Sequence, residues 1–229
     1  MTGTPARSFD LLVFDWDGTL SDSLGLIVGA MQAAIADADL PARDDETIRR
    51  LIGLGLDEVA RALYPELSDA GVAALAGAYR TRWRQIPPGS VPLLPGAATL
   101  LRELHALDYS IAVATGKGRR GLDEALCHSG VGTYVHASRC ADEAPSKPHP
   151  QMLLELMQLF DAPRERTLMV GDSEHDLMMA RNAGIASAAL CHGGRDPGPL
   201  LEFEPLICLP GIPELHRWLA DQEGWIKSL

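Results

Sequence analysis

Short apolar runs alternate with helical patterns along this chain. Leu11–Phe14 is an apolar run that ends at Asp15. Residues 110–114 (SIAVA) form a second run, ending at Thr115, and 167–170 (TLMV) a third, ending at Gly171-Asp172. Ala186–Leu190 and 206–209 are weaker candidates. Runs this short, bounded by turn-forming residues, suit strands buried on both faces of a parallel sheet. Between them, 97–107 carries Leu100, Leu101, Leu104 and Leu107 on one helical face, with Pro95-Gly96 as a start signal. Residues 150–160 repeat the pattern with Met152, Leu153, Leu156, Met157 and Phe160, and Glu174–Ala183 stops at Gly184, a suitable C-cap. Strands alternating with helices predict an α/β, doubly wound parallel-sheet domain.

One interval is too long for a crossover. The first strand ends near Asp15 and the next begins near Ser110, where a dozen or so residues would suffice. The excess reads as helices over 24–36, 45–51, Leu56–Leu63 and Asp69–Trp83, with Ser68 as N-cap of the last, followed by a linker at Pro87-Pro88-Gly89. The predicted division is a core of 1–20 and 86–229 with a small helical cap of 21–85 inserted after the first strand. Extra helices packed on the sheet edge are the alternative.

Composition narrows the function. The chain has 229 residues, 46% hydrophobic and 22% charged, an ordinary globular balance, and a formal net charge of −11. No uniform basic face for nucleic acid or anionic lipid is expected. An anionic substrate would need a local cation, for which a metal ion is the natural candidate. No apolar run approaches the roughly 20 residues that span a bilayer. The first ten residues lack a signal-peptide core, so a cytoplasmic location is expected. Cys127, Cys140, Cys191 and Cys208 form no CxxC pair and are expected to be small, buried or half-buried residues. Only Lys117, Lys147 and Lys227 are lysines against seventeen arginines, so each lysine near a motif invites a question.

Three predicted strands finish at polar residues, and open parallel sheets bind ligands beyond the carboxyl ends of their strands. Asp15, Thr115 and Asp172 would then converge. In Asp15-Trp16-Asp17-Gly18-Thr19, two carboxylates can approach one centre, and a carboxylate can act as a nucleophile toward phosphorus. Thr115-Gly116-Lys117-Gly118 can offer hydroxyl and backbone N–H donors to phosphate, or can be an ordinary strand-to-helix turn. Lys147, between Ser146 and Pro148, could neutralise a phosphoryl group; taken alone it reads as a surface lysine. Asp172 and Asp176 fall together at a helix start, suited to magnesium or simply to the helix dipole. His149 and His175 are expected to be structural, and Trp16 to pack or to line an entrance.

With FDWDGTL (14–20), VATGK (113–117), SKPHP (146–150) and VGDSEHDLMMARNAG (170–184) in this order, the chain resembles the haloacid dehalogenase superfamily, phosphoglycolate phosphatase-like branch. The resemblance spans nearly the whole core and implies a helical cap at the long insert. It implies Mg2+-dependent hydrolysis of a small phosphorylated metabolite, with phosphoglycolate as a candidate, through an aspartyl-phosphate. Asp15 would be the nucleophile, Asp17 the acid and base, and Thr115, Gly116 and Lys147 the phosphate-binding groups. The metal would meet Asp15, the Asp17 backbone carbonyl and Asp172, with Asp176 supporting it or orienting Lys147. The same motifs serve phosphomutases of the β-phosphoglucomutase type and pyrophosphatases. A dehalogenase would need neither metal nor second aspartate, and a phosphonatase would need a cap lysine, which 21–94 lacks. A phospho-receiver domain would be shorter, and a non-catalytic relative would be expected to have lost an aspartate. No nucleic-acid or membrane partner is expected, and a monomer or homodimer is.

Overall fold

A computed structural model describes residues 8–87, 89–192 and 196–223. Pro88 of the predicted linker, most of the first ten residues and Lys227 lie outside the described residues. Six strands make one all-parallel sheet: β1 (Leu11–Phe14), β2 (Ser110–Thr115), β3 (Ala137–Cys140), β4 (Thr167–Gly171), β5 (Ala186–Leu190) and β6 (Ile207–Leu209), ordered β3-β2-β1-β4-β5-β6. The chain order reverses around β1, which places the switch point beside Asp15. Phe14 is level with Val113 of β2 and Val170 of β4, so the carboxyl ends of the three central strands are flush.

Side chains alternate across the pleat, and both faces are covered. Leu12, Phe14, Val113 and Val170 pack toward α5 (Ala97–Ala106) and α10 (Ile212–Glu223), through Leu100, Leu104, Leu215 and Leu219. Leu11, Val13, Ala112 and Met169 face α7 (Gln151–Leu159) and α8 (Glu174–Ala183), through Leu153, Leu156, Met179 and Ala180. Each leucine fully buried here contributes roughly 1.5–3 kcal/mol. That is why the central strands read as unbroken apolar runs.

The long interval folds as four helices: α1 (Leu24–Asp37), α2 (Asp45–Arg50), α3 (Leu56–Leu63) and α4 (Asp69–Trp83). Their apolar faces meet each other and not the sheet: Met31, Ile35, Val59, Leu63, Val72 and Leu75 belong to one separate cluster. Asp44 caps α2 and Ser68 caps α4, each accepting a backbone N–H. The two chain crossings into this unit lie side by side. Asp22 N–H donates to the Pro92 carbonyl at 2.9 Å, and Leu94 N–H to that of Leu20 at 2.9 Å.

Three features depart from the sequence reading. Strand β3 and α6 (Arg119–Ser129) carry few apolar residues, and α6 buries only Leu122, so neither announces itself as a core element. Cys127 is exposed, since it sits on that largely polar helix; Cys140 and Cys191 are buried and Cys208 is half-buried. Among the described residues no helix is long and apolar enough to cross a membrane.

Candidate active site

Asp15 follows β1 directly, and its N–H donates to the Val170 carbonyl at 2.9 Å, continuing the ladder for one residue. Gly18 then turns the chain at φ 81°, and any Cβ there would run into the Asp172 carboxylate, so only glycine lets the two segments approach. Thr19 donates its hydroxyl to Asp172 Oδ1 at 2.9 Å. Asp172 follows β4. Ser173 and Asp176 form a reciprocal capping box at the start of α8, which fixes the Asp176 side chain on the sheet side. Carboxylate oxygens of Asp15, Asp172 and Asp176 lie within 4.8 Å of one another, and all three residues are buried.

Lys147 enters this cluster from the loop between β3 and α7. Its side chain is fully buried, with Nζ 2.6 Å from Asp176 Oδ1 and 2.7 Å from Asp15 Oδ1. The Asp15 contact is an ion pair, and Asp15 Oδ2 has no hydrogen-bond partner. The loop is pinned from α8, where Asn182 donates to the Pro148 carbonyl at 2.9 Å. The surface-lysine alternative for Lys147 therefore fails: prolines and α8 hold it inward, against two carboxylates.

Charge in this pocket is unbalanced. Burial pushes the Asp15 carboxyl well above its ordinary range; Lys147 opposes, and Asp176, Asp172 and Asp17 push it further up. For Lys147, burial alone would lower the ammonium, but Asp15 and Asp176 outweigh it and hold it above its ordinary value. One ammonium against three buried carboxylates leaves room for a further positive charge. An unpartnered buried carboxylate oxygen beside two more carboxylates is a donor set that fits a hard divalent cation.

Asp17 belongs to a second group. Its carboxylate is not among the three that lie within 4.8 Å of one another. Ser23 donates to its Oδ1 at 2.6 Å, and Lys117 Nζ lies 3.0 Å from the same atom. Lys117 also sits 4.6 Å above the ring of Trp83 from α4, so it links the sheet, Asp17 and the helical unit. Sequence reasoning gave Lys117 no role; its one signal was to be a rare lysine inside a motif. Thr115 ends β2, buried, at the same edge of the sheet, and its hydroxyl accepts from Lys117 N–H at 3.2 Å. Gly116 follows, and a Cβ there would strike the carbonyls of Gly53 and Leu54 in the turn between α2 and α3. His175 is half-buried and contacts the Arg50 carbonyl at 3.0 Å. Trp16 is buried, packed in the sheet core, and reaches a cleft beside Trp83.

A family model described as haloacid dehalogenase-like hydrolase matches residues 12–190. The chain belongs to the haloacid dehalogenase-like hydrolases. It is 34% identical over 209 residues to the Dickeya dadantii protein named "Probable phosphatase IndB", covering 90% of this chain and 91% of that one. It is also 34% identical over 208 residues to the phosphoglycolate phosphatase of Vibrio cholerae, covering 87% and 92%. Among solved structures, a hydrolase from Pseudomonas syringae superposes with a TM-score of 0.84 at 24% identity, over 94% of this chain and 99% of that one. Within the haloacid dehalogenase-like hydrolases the chain thus stands with the phosphoglycolate phosphatase-like proteins, and its sheet with a helical unit is theirs.

Proposed function

We propose that this enzyme is a magnesium-dependent phosphomonoester hydrolase that carries the phosphoryl group transiently on Asp15. The observation that carries the reading is the state of that carboxylate: buried at the switch point, with one oxygen unpartnered, and ringed by Asp172, Asp176 and Lys147. A carboxylate held this way is poised to attack and has charge partners for the phosphoryl oxygens.

In the first step an Asp15 oxygen bonds to phosphorus while the ester P–O bond breaks, and Asp17 gives its proton to the departing alkoxide. In the second, Asp17 takes a proton from water, the water oxygen attacks phosphorus, and the Asp15–phosphorus bond breaks. Ser23 and Lys117 both hold the Asp17 carboxylate, which supports a fixed position for it in both steps. The Thr115 hydroxyl, the Gly116 N–H and Lys147 bind phosphoryl oxygens. Asp15, Asp172 and the Asp17 carbonyl would hold magnesium, with Asp176 supporting it and orienting Lys147. When bound, the ion supplies positive charge that keeps Asp15 ionised and offsets charge on the phosphoryl group. Residues 21–85 act as a cap that shuts the site from water.

The substrate is a small phosphorylated metabolite met in the cytoplasm. Phosphoglycolate is the first candidate to assay, because the chain is so close in sequence to proteins bearing that name. The test is hydrolysis of acetyl phosphate by the purified chain, with magnesium, with EDTA, and by the folded variant Asp15→Asn. Chelation and the substitution should each lower kcat by about 1,000-fold or more. Activity that survives either would remove the corresponding part of the proposal.

A further inference from the structure

The cap is seated on the core, and the space left between them is therefore informative about what the enzyme holds. Gly55 N–H donates to Ser146 Oγ at 2.7 Å, His175 meets the Arg50 carbonyl, and the turn carbonyls of Gly53 and Leu54 press on Gly116. Even so, a cleft of about 430 Å³ remains beside Asp17. Asp17, Gly116 and Lys117 form its floor, while Asp15, Thr115 and Lys147 are outside its lining. This is space for the leaving group alone, on the side where Asp17 would deliver its proton.

Size, polarity and charge of the cleft agree with each other. Pockets of about 300–1,000 Å³ house ligands of drug size, far larger than a two-carbon acid. One wall is apolar, built from Ile27, Met31, Ile52 and Leu54. Another is aromatic: Tyr79 and Trp83, one turn apart on α4, lie with ring centroids 6.1 Å apart and planes 20° from parallel. Trp83 also borders an adjoining cleft of about 340 Å³ that reaches Trp16 and His128. The charged lining is not a cradle for an anion. Asp17, Asp57, Glu58, Glu124 and Asp142 give five carboxylates, against four cations in Arg80, Arg84, Lys117 and Arg120. The cation nearest the chemistry, Lys117, is already paired with Asp17, and Arg120 is paired with Glu124 at 2.9 Å. A carboxylate or a second phosphate on the leaving group would meet no surplus of positive charge.

We infer that the alcohol released by this enzyme is uncharged, larger than glycolate, and carries a flat ring that packs against the Tyr79–Trp83 wall. The inference rests on the phosphatase reading above and, in place of phosphoglycolate, names a substrate class: phosphomonoesters of ring-bearing, neutral alcohols. The covalent chemistry is unchanged. The ester P–O bond breaks, the alkoxide takes its proton from Asp17, and water supplies the oxygen that leaves with phosphate.

The experiment compares kcat/KM of the full chain, with magnesium, for acetyl phosphate, phosphoglycolate, benzyl phosphate and uridine 5′-monophosphate. Acetyl phosphate is an acyl phosphate whose acetate departs without needing a proton; its leaving group is too small to use the cleft, and it reports transfer to Asp15 and hydrolysis alone. At least one ring-bearing ester should exceed phosphoglycolate by about tenfold or more. Preference for benzyl phosphate would mark an aryl alcohol, and preference for the nucleotide a nucleoside. Turnover of acetyl phosphate with phosphoglycolate equal to or better than both ring-bearing esters overturns the inference and leaves the phosphatase reading standing. No turnover of acetyl phosphate or of any ester overturns both. Trp83→Ala should lower the ratio of ring-bearing ester to phosphoglycolate by about tenfold, and Trp83→Phe should keep most of it. A ratio unmoved by Trp83→Ala would dismiss the aromatic wall, and the wild-type panel decides the rest even if that variant does not fold.

Discussion

Lys147 Nζ lies 2.7 Å from Asp15 Oδ1, inside a pocket that solvent does not reach. The contact joins the end of β1 to a loop far along the chain, and the same ammonium holds Asp176. Removing it would leave two buried carboxylates without their counter-charge, a loss of about 3–5 kcal/mol for a broken buried pair. Lys147→Met should therefore lower the chemical denaturation midpoint of the metal-free protein, and should cost about 100-fold or more in kcat. A variant as stable and as active as the parent would show that the lysine is a bystander.

The carbonyls of Gly53 and Leu54 occupy the space a Cβ on Gly116 would need, so under the proposed cap role closure requires glycine there. Gly116→Ala should hold the cap off the core. The expected outcome is at least about tenfold lower kcat/KM with the fold retained. Gly77→Ala is the matched control, because a Cβ there meets nothing within 4 Å and lies on a helix. It should stabilise by roughly 0.5–1 kcal/mol. Thermal melts and steady-state rates on both variants make the comparison; equal rates would contradict the closure argument.

Metal and pH should be linked through Asp15. Burial, with help from the neighbouring carboxylates, raises its folded value above the ordinary 3.8, so between the two values the folded metal-free protein binds more proton than the unfolded chain does. Stability from that proton is fully present below the ordinary carboxylate range and is lost as pH rises through the folded value. A cation in the cluster would replace that proton. The rise in Tm caused by magnesium, relative to EDTA, should therefore grow as pH rises from the ordinary carboxylate range toward the raised folded value. Melts over that range check it, and an increment that is flat or shrinks with pH would contradict the placement of the metal.

Much of this architecture is legible in the sequence because of where the strands lie. β1, β2 and β4 are central and buried on both faces, so Leu11–Phe14 and its counterparts are uninterrupted apolar runs that end at the residues of interest. The edge strand β3 does not read this way. Ala137, Ser138 and Arg139 are only half-buried, and Arg139 is turned to Glu155 at 2.6 Å. Helix α6 escapes for the same reason, with one buried residue and Arg119 and Arg120 at its start. Asp15 and Asp172 each follow a strand directly, Thr115 ends one, and Asp176 lies in the first turn of α8, so all four sit at element ends that the sequence makes recognisable. Lys117 could not, since its partner Asp17 and its neighbour Trp83 lie on separate segments that only folding brings together.

The central claim is that phosphorus is bonded to Asp15 during turnover. The direct measurement is rapid acid quenching of the enzyme with 32P-labelled substrate and magnesium, followed by fragmentation of the peptide that carries Asp15 and Asp17. The account predicts a hydroxylamine-labile label on Asp15, absent from Asp15→Asn. Label on Asp17 or on any other residue, or full turnover with no labelled enzyme at any quench time, would contradict it.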